Sequence, residues 1–188
     1  MTILTDAIVL KKMPQGDFDR QYVLLTRELG KVVAIVKSGN KVNSKLAPHL
    51  EFFAVSQIMA AYGRKCFRVG GAKIKQAQPR IKEDLPKIAL AAAFLEAVDL
   101  LLVFEVSERL IFAITESFLS HLDNSDSLKE SILVFNRHLF EMLSQLGYRP
   151  SLKVASQRQL ISEMIKVIET ATEKHFKSSV FLHQNLIA

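Results

Sequence analysis

The sequence predicts an α+β chain, with an N-terminal five-stranded β-barrel of the OB type followed by an all-α helical domain. Three observations carry that expectation. Residues 1–80 fall into five segments rich in β-branched and aromatic residues, separated by turns that hold Gly or Pro. From residue 81 onward the apolar period lengthens to that of helices. The charge divides at the same place. Through residue 80 there are fourteen Lys and Arg against five Asp and Glu, a net of +9; thereafter eleven against fourteen, a net of −3. Five strands in about eighty residues suit a small closed barrel, of which the OB type is a common example, although the pattern alone leaves an SH3-like barrel open.

Taken in order, Ile3 to Lys12 reads as the first strand, and Met13 to Asp19, with Pro14, Gly16 and two aspartates, as a turn. Gln21 to Arg27 is the second strand, with Gly30 as the next turn. Lys31 to Lys37, with Val32, Val33, Ile35 and Val36, is the third. Ser38 to Pro48 is polar and basic and reads as an exposed loop. Phe52 to Ala61 and Lys65 to Ile74 form a last hairpin around Tyr62 and Gly63. Gln76 to Arg80 connects an expected first domain, 1–80, to a second, 81–188. There Asp84 can cap a helix running to about Phe104, and Ser107 a second one through Leu122. Ser127 with Glu130 is a capping box for a third helix ending at Gly147, and Ser156 with Gln159 opens a fourth. Phe94, Phe104, Phe112, Phe118 and Phe135 are assigned to the core by default.

Several chemistries find no support. Cys66 is the only cysteine, so no intrachain disulfide or cysteine zinc site can form, and it reads as a small buried hydrophobe. A reducing, cytoplasmic compartment is expected. The apolar run Ile88 to Phe104 is interrupted by Glu96 and Asp99 and reads as a buried helix, with no membrane anchor and no signal peptide expected. No phosphate loop or nucleophile elbow is present, and the five histidines show no metal spacing. The expectation is a non-enzyme with no cofactor and no metal.

What remains is the basic first part, whose charge fits a polyanion. Lys11, Lys12 and Arg20 flank the first turn, with Arg20 expected to pair partly with Asp17 or Asp19. Lys37, Lys41 and Lys45 recur through the long loop, and Arg64, Lys65 and Arg68 lie on the last hairpin, Arg64 and Arg68 sharing a face by strand period. Phe18 and Tyr62 sit in turns where a base could stack on them, whereas Tyr22 and Phe67 read as barrel core. Few residues are arranged to read base edges, so weak sequence preference is expected.

At these residues the sequence resembles the RecO family of bacterial recombination-mediator proteins. The resemblance begins with Ala7-Ile8-Val9-Leu10 and Gly16-Asp17-Phe18-Asp19-Arg20. It continues through Thr26-Arg27-Glu28-Leu29-Gly30-Lys31, Val36-Lys37, Lys41, Ser44, Lys45, Leu50, Glu51 and Phe53. Pro79-Arg80, Glu83-Asp84, Leu146-Gly147-Tyr148-Arg149-Pro150 and Lys177-Ser178-Ser179-Val180-Phe181-Leu182 follow in family order. Two departures stand out. Many members carry a four-cysteine zinc finger after the Gly-Tyr-x-Pro segment, whereas Lys153 to Gln159 holds no cysteine; the chain reads as a short form lacking it. Ser38 and Asn40 stand where the family usually has Gly and Arg.

The resemblance implies DNA repair by homologous recombination, in the bacterial cytoplasm at the nucleoid. It implies binding of single- and double-stranded DNA, strand annealing, and action with RecR, with single-strand-binding protein and, indirectly, with RecA. Lys31, Lys37, Lys41 and Lys45 match basic positions of the family. Two other readings stay open: an OB-fold RNA-binding module, and a non-catalytic protein-binding scaffold. Competition between matched DNA and RNA separates the first, and indifference of function to loss of the loop lysines marks the second.

Overall fold

The computed structural model describes residues 2–63, 65–150 and 156–182. Five strands, β1 (Thr2–Gln15), β2 (Asp19–Thr26), β3 (Gly30–Val36), β4 (Val55–Tyr62) and β5 (Phe67–Gln76), close into a barrel in the order β1-β2-β3-β5-β4. All neighbours are antiparallel except β3 and β5, which pair in parallel at Ala34–Phe67 and Ile35–Arg68. That order and the parallel pair decide for the OB-type barrel, which the strand pattern had left beside an SH3-like one.

Register gives the barrel its tilt. Stepping sideways from Met13, the partners are Gln21, Ile35, Arg68 and Ala61, and the row returns to β1 at Thr2, the other end of the same strand. β1 is long because it serves both neighbours. It outruns the expected end at Lys12 because Pro14 and Gln15 still pair with Arg20 and Asp19. β4 starts later than expected, since Phe53 takes a φ of 65° that ends any extended run. Alternation sends Ala7, Val9, Tyr22, Leu24, Val32, Ala34, Val36, Ile58, Ala60, Phe67 and Val69 inward, where Leu50 joins them.

The helices are α1 (Pro79–Glu83), α2 (Leu85–Leu101), α3 (Arg109–Asn124), α4 (Leu128–Gln145), α5 (Gln157–Thr172) and α6 (Ser178–Leu182). α1 is a short helix where the sequence suggested only a connection. The Asp84 carboxylate accepts the Lys87 N–H at 3.2 Å, which makes it the expected cap of α2. α2 stops at Leu101, and Phe104 is 46% exposed instead of core. α3 starts at Arg109, too late for Ser107 to cap it; the Glu108 carbonyl accepts the first helical bond, from Phe112.

Two compact units result. One is Met1–Ala77 together with Leu102–Phe112; the other is Gln78–Leu101 with Ala113–Ala188. In the second, α2 packs against α4, α5 and α6 and is apolar round most of its circumference, with Leu90, Ala91, Ala93, Phe94, Leu95, Ala97 and Val98 buried. Phe94 stacks on Phe118 at 4.0 Å, and Phe135 meets both edge-on. The buried Lys87 ammonium donates to the Asp123 and Ser125 carbonyls at 3.0 and 2.7 Å, satisfying the end of α3. Glu96 accepts the Lys177 and Ser178 N–H groups at 2.9 and 2.8 Å and so fixes the start of α6.

The Ser127 hydroxyl accepts the Glu130 N–H at 3.2 Å, as its capping role requires. The Glu130 carboxylate reaches one residue further back than a capping box expects, to the Asp126 N–H at 2.8 Å. Ser127→Ala should lower stability by about 1 kcal/mol, read as an earlier urea midpoint at unchanged slope. α4 closes with Gly147 and Tyr148 donating to the Ser144 and Leu143 carbonyls, the Schellman arrangement. Among the described residues no helix is long and apolar enough to cross a membrane.

Candidate nucleic-acid interface

Strand alternation sorts the basic residues. Tyr22 and Phe67 are buried inside the barrel, as expected, so every second position beside them faces out. Arg68 is exposed on the outer side of β5, next to Ile35 of β3, and Ile35 is paired with Gln21 of β2. Lys11 is exposed on β1 opposite Val23, and Lys37 is exposed directly after β3. Together these put cations around the outer face of β2 and β3, the surface on which OB barrels hold oligonucleotides.

The loop after β3 is laced onto the first turn. The Ser38 N–H donates to the Asp19 carboxylate at 2.9 Å, the Asn40 N–H to the Phe18 carbonyl at 2.9 Å, and the Arg20 guanidinium to the Asn40 side chain at 2.8 Å. Arg20 therefore bonds to Asn40 in place of Asp17 or Asp19, and Asp19 instead caps the loop. Ser38 adopts a φ of 55°, a backbone setting that glycine takes more readily. Lys41 stands 4.7 Å from the centre of the Phe18 ring, which is itself 58% exposed. Tyr62, also 58% exposed, is held edge-on against buried Phe67 at 5.0 Å. Both aromatics expected to offer a stacking surface are thus accessible.

Not every expected cation is available. Lys31 is only 5% exposed. Its ammonium donates to the Leu102 carbonyl at 3.3 Å and lies 4.3 Å from the Phe104 ring centre, so it does not face solvent phosphate. This corrects its place among the DNA contacts. The cause is the segment Leu102–Phe112: Phe104 forms a bridge beside Lys31, and the Glu105 N–H donates to the Lys31 carbonyl at 2.8 Å. Lys12 stands on the inward side of β1 beside Tyr22, paired with Glu51 at 2.9 Å and set over the Phe52 ring. Arg64 lies outside the described residues. Lys37, Lys45, Lys65 and Arg68 are exposed and make no ion pair among the described residues. Lys73, on the same outward side of β5, is a further exposed cation that sequence reading omitted; the alternation around the bulge in β5 would have found it.

Elsewhere on the barrel, charges are paired. Asp6 takes both Arg27, at 3.4 Å, and Lys75, at 2.9 Å, and Arg27 also lies over Phe112. Burial pushes the Tyr22 hydroxyl above its usual range, with the nearby Arg20 opposing the shift. Cys66 is half-buried in the β4–β5 hairpin rather than fully enclosed. No group of three or more His, Cys, Asp or Glu side chains suited to a metal occurs among the described residues.

The family described as Recombination protein O N terminal matches residues 1–77, the span of the barrel. Proteins named DNA repair protein RecO match further along the chain. That of Dehalococcoides mccartyi (strain ATCC BAA-2266 / KCTC 15142 / 195) is 34% identical over 149 residues, 79% of this chain and 58% of the relative. The barrel is that of the RecO N-terminal family, and most of the chain is similar to RecO proteins. The RecO proteins of Roseiflexus sp. (strain RS-1) and Geobacter metallireducens are 30% and 33% identical, each over 79% of this chain and over 51% and 59% of their own length. The chain therefore spans between half and three-fifths of the length of these relatives.

Proposed function

We propose that the chain is a DNA-binding recombination mediator without a catalytic step. It binds single-stranded DNA on the outer face of the barrel, promotes annealing of complementary strands, and assists recombinase loading during homologous-recombination repair. The carrying observation is the set of exposed cations Lys11, Lys37, Lys41, Lys45, Lys65 and Arg68, with Arg20 behind them and two accessible aromatic rings beside them. Cations track phosphates whatever the sequence, and exposed rings accept any base, so the reading requires little sequence preference. The name carried by the relatives, DNA repair protein, agrees with it. Double-stranded DNA, RecR and single-strand-binding protein belong to the same proposal as partners, with RecA served indirectly.

The mechanism needs only electrostatics. Two phosphate backbones repel as their bases approach, and lysines shared between them lower that repulsion while pairing proceeds. Annealing of complementary oligonucleotides, bare and coated with single-strand-binding protein, tests it. Acceleration of both at low salt, fading as salt rises, is expected. No acceleration of bare strands at low salt would sink the proposal, and clear preference for matched RNA would move it to RNA.

A further inference from the structure

The helical unit holds a second group of polar side chains that nucleic-acid binding does not use. Ser117 and His121 are four residues apart on one face of α3, and His138 comes from α4. Their atoms form a nearly equilateral triangle. Ser117 Oγ lies 3.3 Å from His121 Nδ1 and 3.4 Å from His138 Nε2, and the two nitrogens are 3.2 Å apart. We infer that Ser117, His121 and His138 form one face of a tetrahedral site for a zinc-class divalent ion.

The geometry carries the argument. A tetrahedral ion with bonds of 2.0–2.1 Å needs ligand atoms about 3.3 Å apart, which is the triangle's edge. Two imidazoles bound to such an ion have ring centres about 5.2 Å apart, against about 5.5 Å for a head-on hydrogen bond. The centres of His121 and His138 are 5.2 Å apart. The other side of the His138 ring fixes the tautomer: Nδ1 donates to the Val134 carbonyl at 2.8 Å, which leaves Nε2 unprotonated and within reach of Ser117 and His121.

Solvent reaches the two histidines from one side. His121 and His138 line a cleft of about 290 Å³ whose walls include Asn124, Glu130 and Arg137. A water entering from that cleft would take the fourth position. Nitrogen and oxygen donors without a thiolate fit Zn²⁺ and the neighbouring divalent ions better than a sulfur-seeking one. The ion would clamp α3 to α4, independently of Cys66 and of the barrel.

The test uses the full chain without a histidine tag. Titration with Co²⁺ should give the strong visible absorption of tetrahedral cobalt, saturating at one equivalent and displaced by Zn²⁺. His121→Gln changes an exposed side chain and should weaken binding at least about tenfold with the far-ultraviolet dichroism unchanged. In the unmutated protein, ¹⁵N signals of His121 and His138 should move on adding Zn²⁺ while those of His49 and His175 stay. The absence of tetrahedral cobalt absorption, affinity unchanged in His121→Gln, or movement of the other histidines instead would each overturn the site.

Discussion

Replacing Lys37, Lys41 and Lys45 together by alanine should weaken binding of single-stranded DNA on the order of a hundredfold near 0.1 M salt and reduce the log–log salt slope by about two units. Each lysine that neutralises a phosphate releases condensed counterions, and three such contacts on a single strand contribute roughly 0.7 each to the slope. The lysines are exposed, so their loss leaves no cavity in the barrel. The loop itself keeps its shape, because Ser38, Asn40 and Ser44 hold it through bonds in which none of these side chains takes part. The reduction should be equal for unrelated sequences, since phosphates carry no sequence information. Lys31→Met supplies the contrast. Its ammonium is bonded to the Leu102 carbonyl, so the change should lower the thermal midpoint and leave the salt slope where it was. A triple variant with the slope of the parent would show that the loop does not touch phosphate, and a reduced slope in Lys31→Met would return that residue to the interface.

That contrast also marks how far the sequence reaches. The charge split, the five strands, the turn position of Phe18 and the exposure of Tyr62 were legible, because exposure and strand propensity act locally; Tyr62 itself is not in a turn but ends β4, paired with Phe67. Ser127 and Asp84 were legible as caps for the same reason: a short polar side chain before an apolar helix bonds to an amide three residues away. Lys31 was not legible. Its cover comes from Leu102, 71 residues later, and nothing in the local run Lys31 to Lys37 encodes it. The parallel β3–β5 pair escaped for the same reason, since strand pattern gives alternation but not partner choice. Phe104 was placed in the core because aromatic residues usually are; here it turns its ring to the Lys31 ammonium and stays half exposed. Arg20 was read as the partner of its nearest carboxylates, yet folding of the loop brings Asn40 closer to it and engages Asp19 elsewhere. His121 and His138 show no metal spacing along the chain; only the packing of α3 on α4 sets them 3.2 Å apart.

The segment that buries Lys31 also makes Gly30 the position where one methyl group should do the most damage. Gly30 has a φ of 68°, and a Cβ there would lie 1.8 Å from the Val106 carbonyl oxygen and 2.5 Å from its carbon. Neither atom belongs to a flexible side chain. The Val106 backbone cannot withdraw freely, because Phe104 is bridged to Lys31 and the Glu105 N–H is bonded to the Lys31 carbonyl. Gly30→Ala thus combines a left-handed backbone, which costs about 1 kcal/mol, with displacement of the whole segment. A loss on the order of 3 kcal/mol is expected, or roughly 6–12 °C in Tm for a chain of this size. Two other glycines separate the contributions. Gly16→Ala has a similar φ of 61° with nothing within 4 Å of the added Cβ, so it should show the backbone cost alone. Gly70→Ala has neither a positive φ nor a neighbour within 4 Å and should stay within about 0.5 kcal/mol of the parent. The close approach at Val106 is the deciding feature if the order of loss is Gly30, then Gly16, then Gly70. Equal losses at Gly30 and Gly16 would mean that the segment yields without cost and that backbone conformation alone demands the glycine.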